Sequence, residues 1–306
     1  RNGSAAWACT RGNRIMIAYR TPSRIIFQTF NYTFFIVFSI SILVPFINAL
    51  AISLSGYHAA VAGKIGLWPV DFQLNAYQEL AVNKTFFRSF LNTVFLTVVN
   101  TILSITVSLC AAYALAHKYF IGRSVVFTYL LITMFFSGGL IPTYLLVLSL
   151  GLDNTYWALI LPGLVNPFYI IVYKNMIDRL PKELMESAEV DGAGEFSMLF
   201  RIVLPMVLPM TMAFVIFSAV AYWNEWFGVL LYIRDKSMWT LQFQLREILS
   251  RGVLEDQQIN PFGETIVHPE NIKMAALMLT ILPIIIIYPF VQKYFIHGQF
   301  VGAVKG

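Results

Sequence analysis

Histidine, cysteine and the acidic residues supply most protein chemistry, and in this chain most of them are dispersed. His58, His117, His268 and His297 show no metal-ligand spacing such as H-E-x-x-H. No G-x-x-x-x-G-K-[ST] run occurs, so the chain has no P-loop for ATP. Asp191-Gly192-Ala193-Gly194 is glycine-rich, but no strand precedes it, which argues against a dinucleotide site. Cys9 and Cys110 cannot make a disulfide framework. Two clusters carry more. Trp223-Asn224-Glu225-Trp226 joins aromatic faces to hydrogen-bonding groups. Sugars need both: rings stack on their C–H faces, and Asn224 and Glu225 bind hydroxyls. The same tetrad also suits an interfacial aromatic belt, because Glu225 falls ~28 Å along a helix that starts near Met206. Glu186-Ser187-Ala188, with Asp191-Gly192 after it, suits docking. Glu186 offers a carboxylate to a basic group, and Ser187 and Ala188 are small where a partner approaches closely. An amphipathic connector lying on a membrane surface is the plainer reading of that segment.

The elements that position these residues follow from where charge is missing. The chain has 306 residues, 58% hydrophobic and only 12% charged. Soluble domains carry about 25% charged residues. This composition excludes a soluble enzyme, a disordered chain and, despite the net charge of +5, a nucleic-acid binder. Residues 25–63, 89–117, 124–152, 154–173, 202–224 and 274–292 contain no Asp, Glu, Lys or Arg. About 20 apolar residues cross the hydrocarbon of a bilayer as a helix. One span in each stretch gives an all-α protein with six transmembrane helices, at about 33–54, 90–116, 124–150, 155–173, 206–233 and 274–292. The first is too long and too far along the chain for a cleaved signal, and lacks a small-x-small site after its core. Met16 reads as a natural start, which makes residues 1–15 extra sequence on a tail covering 1–32.

With six spans both termini lie on one side. From residue 16 onward that side holds ten Lys or Arg (Arg20, Arg24, Lys118, Arg123, Lys174, Arg179, Lys182, Arg201, Lys293, Lys305), against eight on the other. The positive-inside rule makes it cytoplasmic. Between the fourth and fifth spans, residues 174–205 are the most polar short connection. Pro181 suits the first turn of a helix, with Glu183 and Glu186 near its positive end. Asp191-Gly192 breaks that helix. Phe196, Leu199, Phe200 and Val203 then form one apolar stripe on a second short helix.

Glu186-Ser187-Ala188, Asp191-Gly192-Ala193, Ile202 and Leu204-Pro205 together resemble the EAA loop of permease subunits of binding-protein-dependent ABC importers. Ser187 stands where that family usually has its middle alanine, a small-for-small change. Ser137-Gly138-Gly139-Leu140-Ile141-Pro142-Thr143-Tyr144, the 223–226 tetrad and the ending Gly302-Ala303-Val304-Lys305-Gly306 resemble the carbohydrate-uptake branch. Within it the chain is similar to the smaller maltose-type permease, and closest to importers of oligosaccharides released from polysaccharides, alginate among them.

The resemblance implies a type I ABC importer fold in a bacterial cytoplasmic (inner) membrane. It implies that residues 174–205 are a coupling loop seated in a cytoplasmic ATPase dimer, with Glu186, Ser187, Ala188, Asp191, Gly192, Ala193, Leu204 and Pro205 at the contact. It implies a second homologous permease in a heterodimer, a periplasmic or extracellular solute-binding protein, and surrounding membrane lipid. The chain itself holds no cofactor and no metal, and is not an enzyme; ATP and Mg belong to the partner ATPase. Tyr144, Trp223, Asn224, Glu225 and Trp226 are the expected substrate path. The tail 293–306 is read as short, polar and without a helix-forming run, with Gly302 and Lys305 reaching the ATPase interface. The alternatives are a permease for a non-sugar solute and a proton-coupled carrier. A carrier would show Asp, Glu or His relays in mid-span, and only Glu225 comes near one. An intramembrane enzyme would need a catalytic constellation, and the sequence has none.

Overall fold

A computed structural model describes residues 22–117, 119–251 and 267–303. Among these every regular element is helical. The chain divides into two compact units, residues 1–48 and 49–306. Within the first, the described residues form the larger part of helix Pro22–Ser53. Phe30, Phe34 and Phe38 recur every four residues there, with ring centroids 6.4 and 6.1 Å apart. Apolar side chains are exposed along this helix, as a hydrocarbon solvent permits.

The second unit is built around helix Lys84–Ala116. Asn83 starts it: its Oδ1 accepts the Phe86 N–H at 2.8 Å. The inward face is a stripe of small or polar residues, among them Ser89, Thr93, Thr97, Asn100, Ser104 and Ser108, all buried. Small residues let backbones approach closely where no hydrophobic force draws apolar helices together in lipid. Helices Leu208–Trp223 and Pro167–Ile177 pack closely on 84–116. Toward the C-terminal end of 84–116 the stripe gives way to an aromatic core. Tyr169 stacks on Phe214 at 4.3 Å, and Tyr173 meets the same ring edge-on at 5.0 Å.

Uninterrupted helices long and apolar enough to span are Ile25–Ser53, Lys84–Ala116 and Pro269–Pro289. Two more candidates are bent pairs, Arg123–Phe135 with Leu140–Ser149 at 118° and Glu195–Met206 with Leu208–Trp223 at 86°. The described residues therefore hold three to five candidate spans rather than six continuous ones. Glycine and proline account for the difference. Gly139 sits at φ +90° ahead of Pro142, and the span expected at 124–150 turns there. The expected span 155–173 appears as Trp157–Ile160 and Pro167–Ile177, separated by a segment containing Pro162 and Gly163. The Tyr222 hydroxyl donates to the Gly163 carbonyl at 2.9 Å, filling one backbone group that the missing helix leaves open.

Candidate functional site

Residues 174–205 hold the end of helix Pro167–Ile177 and two short helices joined by a turn. Pro181 precedes helix Lys182–Val190 with φ −57°, a value its ring imposes. Gly192 adopts φ +78°, and the chain reverses into Glu195–Met198. A Cβ at Gly192 would meet nothing within 4 Å, so the glycine is needed for its conformation rather than for space. Glu183, Glu186 and Ser187 are exposed, as are the apolar Leu184, Val190 and Phe196. Val190 is 87% and Phe196 78% exposed, an apolar surface rimmed by carboxylates.

Ala188 is buried within the chain. One expectation for this loop changes: the stripe Phe196, Leu199, Phe200 and Val203 is split. Met198, Leu199 and Val203 are buried, whereas Phe196 and Phe200 face outward. A π-helical turn over Leu199–Val203 is the cause. Pro205 has no N–H to bond residue 201, and the wider turn ahead of it shifts the register. Of the remaining loop residues, Asp191 is exposed, Ala193 and Leu204 are half-buried, and Pro205 is exposed.

The loop is tied to the end of helix 84–116 by three side chains that sequence reading did not single out. The Tyr113 hydroxyl donates to Glu195 Oε2 at 2.6 Å and lies 3.3 Å from Met198 Sδ. His117 Nε2 stands 3.4 Å from both the Tyr113 hydroxyl and Glu195 Oε2. Beside them lies a cavity of about 700 Å³ lined by His117, Arg123, Lys174, Glu186 and Glu189. Lys174 is already paired with Asp178 and lies over the Phe127 ring at 5.1 Å.

Far along the same helix, Asn92 gathers the segments around Tyr156 and Ser237–Trp239. Its Nδ2 donates to the carbonyls of Ser237 and Trp239 at 2.8 and 3.0 Å, and its Oδ1 accepts from Tyr156 at 2.9 Å. Here the tetrad 223–226 lies at a break, not within a continuous helix running to 233. Leu208–Trp223 ends, and Phe227–Tyr232 begins. Glu225 Oε1 accepts the Gly228 N–H at 2.6 Å, and the Glu225 carbonyl accepts from Thr240 at 2.7 Å. Those bonds satisfy groups that a helix break exposes.

The tetrad members diverge. Trp223 is only 7% exposed, donates its Nε1 to the Thr280 carbonyl at 3.3 Å and meets Phe90 edge-on. Its ring is packed inside the chain, which leaves no face for a sugar. Trp226 is half-buried with the Arg246 guanidinium 3.9 Å above its ring. Exposed Asn224 accepts from Gln242 at 3.0 Å. Tyr144 stacks on Tyr232 at 5.8 Å. Arg246 and Gln242 belong to helix Leu241–Arg251, whose apolar face at Leu241, Leu245 and Ile248 is buried. The spacing of Leu241, Leu245 and Ile248 marks that face in the sequence, whereas the polar residues between carry no signal of what they touch. In the loop ahead of helix Leu241–Arg251, hydrogen bonds from Ser237 hold the Asp235 carboxyl below the usual range.

The tail departs from expectation. Helix Pro269–Ala303 runs through Gly298 and Gly302. Each glycine costs roughly 1 kcal/mol in a helix, but no proline follows Pro289 to stop propagation. Lys305 lies outside the described residues.

Residues 8–299 match the family described as binding-protein-dependent transport system inner membrane component. The chain is 38% identical over 284 residues to the polygalacturonan/rhamnogalacturonan transport system permease protein YtcP of Bacillus subtilis, covering 92% of this chain and 99% of that protein. It is 35% identical over 217 residues to the arabinooligosaccharides transport system permease protein AraQ of Halalkalibacterium halodurans, covering 70% and 73%. It resembles a chain in the crystal structure of a bacterial ABC transporter involved in the import of the acidic polysaccharide alginate, with TM-score 0.85, 29% identity, and coverage of 90% of this chain and 99% of that one. With the family model matched over nearly the whole chain and relatives of this identity and coverage, the chain belongs to the binding-protein-dependent transport system inner membrane components, the non-enzymatic permease subunits of ABC transporters.

Proposed function

We propose that the chain is the membrane-spanning permease subunit of an ATP-driven importer that moves an acidic oligosaccharide, delivered by a solute-binding protein, into the cytoplasm. The observation that carries this reading is the pair of short helices Lys182–Val190 and Glu195–Met198, with exposed Leu184, Val190 and Phe196 and the carboxylates Glu183 and Glu186. An apolar patch rimmed by negative charge calls for an apolar groove with a basic rim. A separate ATPase dimer supplies that groove and binds ATP and Mg. Six crossings with the boundaries given above put both termini and residues 174–205 in the cytoplasm, and a second, homologous permease completes a heterodimer. Gly302 and Lys305 are the tail residues assigned to the ATPase interface.

Two relatives support an acidic cargo: one is named for polygalacturonan and rhamnogalacturonan, and one structure concerns alginate. In this chain Asn224, Trp226, Gln242 and Arg246 combine a ring face, amides and a guanidinium suited to a uronate carboxylate. Tyr144 and Glu225 complete the path; Trp223 supports it from within the core. Uptake of oligogalacturonate and of a neutral oligosaccharide of equal length into proteoliposomes containing the whole importer tests this. The acidic sugar should be favoured at least tenfold, and Arg246→Gln should narrow the ratio. Equal uptake of both sugars by the unaltered importer would contradict an acidic cargo.

A further inference from the structure

We infer that the hydrogen bond between Tyr113 and Glu195 is the latch through which the coupling loop moves helix Lys84–Ala116, with His117 steadying the acceptor; the inference rests on the functional reading above. Glu195 opens the second helix of the loop, three residues beyond the turn at Gly192. Its side chain is 60% exposed, so water could satisfy it. Instead its Oε2 accepts from Tyr113, 82 residues away, at 2.6 Å. Tyr113 is 7% exposed, and without Glu195 its hydroxyl would keep the weak acceptor Met198 Sδ at 3.3 Å and the longer contact to His117 Nε2 at 3.4 Å. His117, one helical turn on, places Nε2 3.4 Å from the same carboxylate oxygen and packs edge-on against the Tyr113 ring at 5.2 Å.

The apolar contacts of Met198, Leu199 and Val203 hold the loop to the bundle, but such contacts are non-directional and let one surface slide over another. A short bond to a carboxylate is directional. It fixes the loop to one turn of helix 84–116. A rigid helix then carries displacement from Tyr113 to Asn92, roughly 32 Å at 1.5 Å per residue. At that point Asn92 grips the carbonyls of Ser237 and Trp239. The pair is a positioning device: neither residue touches ATP or sugar.

The test uses the complete importer in proteoliposomes, with Tyr113→Phe, Glu195→Ala and the double variant. Each should keep wild-type abundance, melting temperature and bound ATPase. Each should lower ATP hydrolysis stimulated by the loaded binding protein about fivefold to tenfold, together with sugar moved per ATP. The double variant should be no worse than the worse single, because both remove one interaction. Unchanged stimulation in Tyr113→Phe, or losses that multiply in the double variant, would overturn the latch. Loss of bound ATPase in the single variants would overturn it too, by making the pair part of the docking surface. A wild-type complex that holds no ATPase would instead overturn the functional reading on which the latch rests.

Discussion

Trp223 and Trp226 stand three residues apart and answer to different neighbours. Trp223 is sealed against Phe90 and Thr280, whereas Trp226 is half-buried beneath the Arg246 guanidinium. Truncating a packed tryptophan costs about 3–5 kcal/mol, from lost transfer energy and the cavity left behind. Trp223→Ala should therefore lower the melting temperature of the purified complex while leaving the apparent KM for sugar unchanged in the molecules that survive. Trp226→Ala should do the reverse, raising KM severalfold with little loss of stability. A KM shift in Trp223→Ala without destabilisation would contradict this division. The sequence showed that aromatic and amide groups meet here. It could not show which tryptophan turns inward, because that depends on Thr280 and Arg246, residues brought in by other helices. Tyr113 and Glu195 were hidden for the same reason: 82 positions separate them, and neither type is unusual where it stands.

Elements were legible where local chemistry decides and illegible where proline and glycine compete with hydropathy. The uncharged run at 89–117 became a single helix from Lys84 to Ala116. The run at 154–173 did not, because Pro162, Gly163 and Pro167 interrupt it. Apolar length counts residues available to lipid; it does not say whether the backbone stays helical through them. In the loop, Asp191-Gly192 was read as a helix break, and Gly192 does take φ +78°. The apolar stripe after it was misplaced by the π turn at Leu199–Val203, which has no composition signature. Because the site beside Gly192 is open, substitutions there should rank by tolerance of positive φ alone. Coupled ATP hydrolysis should fall in the order Gly, Asn, Ala, Val, since left-handed backbone costs an L-residue about 1–2 kcal/mol and asparagine less. An alanine variant as active as wild type and better than asparagine would show that the turn does not need this conformation.

Within residues 49–306, one helix of 33 residues joins the loop 174–205, held at Tyr113, to the segments around Asn92 that carry a ring, amides and a guanidinium. Such a chain has no energy source of its own. Binding energy shifts an equilibrium between two arrangements only through unequal contact with them, so the loop must be seized by something that changes shape. Under the proposed function, the exposed Glu186 carboxylate is the group that meets a basic rim on the partner ATPase. Reversing its charge sets like against like in a partly desolvated contact, at a cost of several kcal/mol. The account is therefore tested most directly by the amount of ATPase that co-purifies with the wild-type permease complex and with Glu186→Lys, alongside sugar uptake per assembled complex. Wild type should retain the ATPase, and Glu186→Lys, at equal membrane abundance, should lose it at least tenfold and lose uptake with it. Full retention of the ATPase and normal uptake in Glu186→Lys would contradict the assignment of this loop as the coupling element.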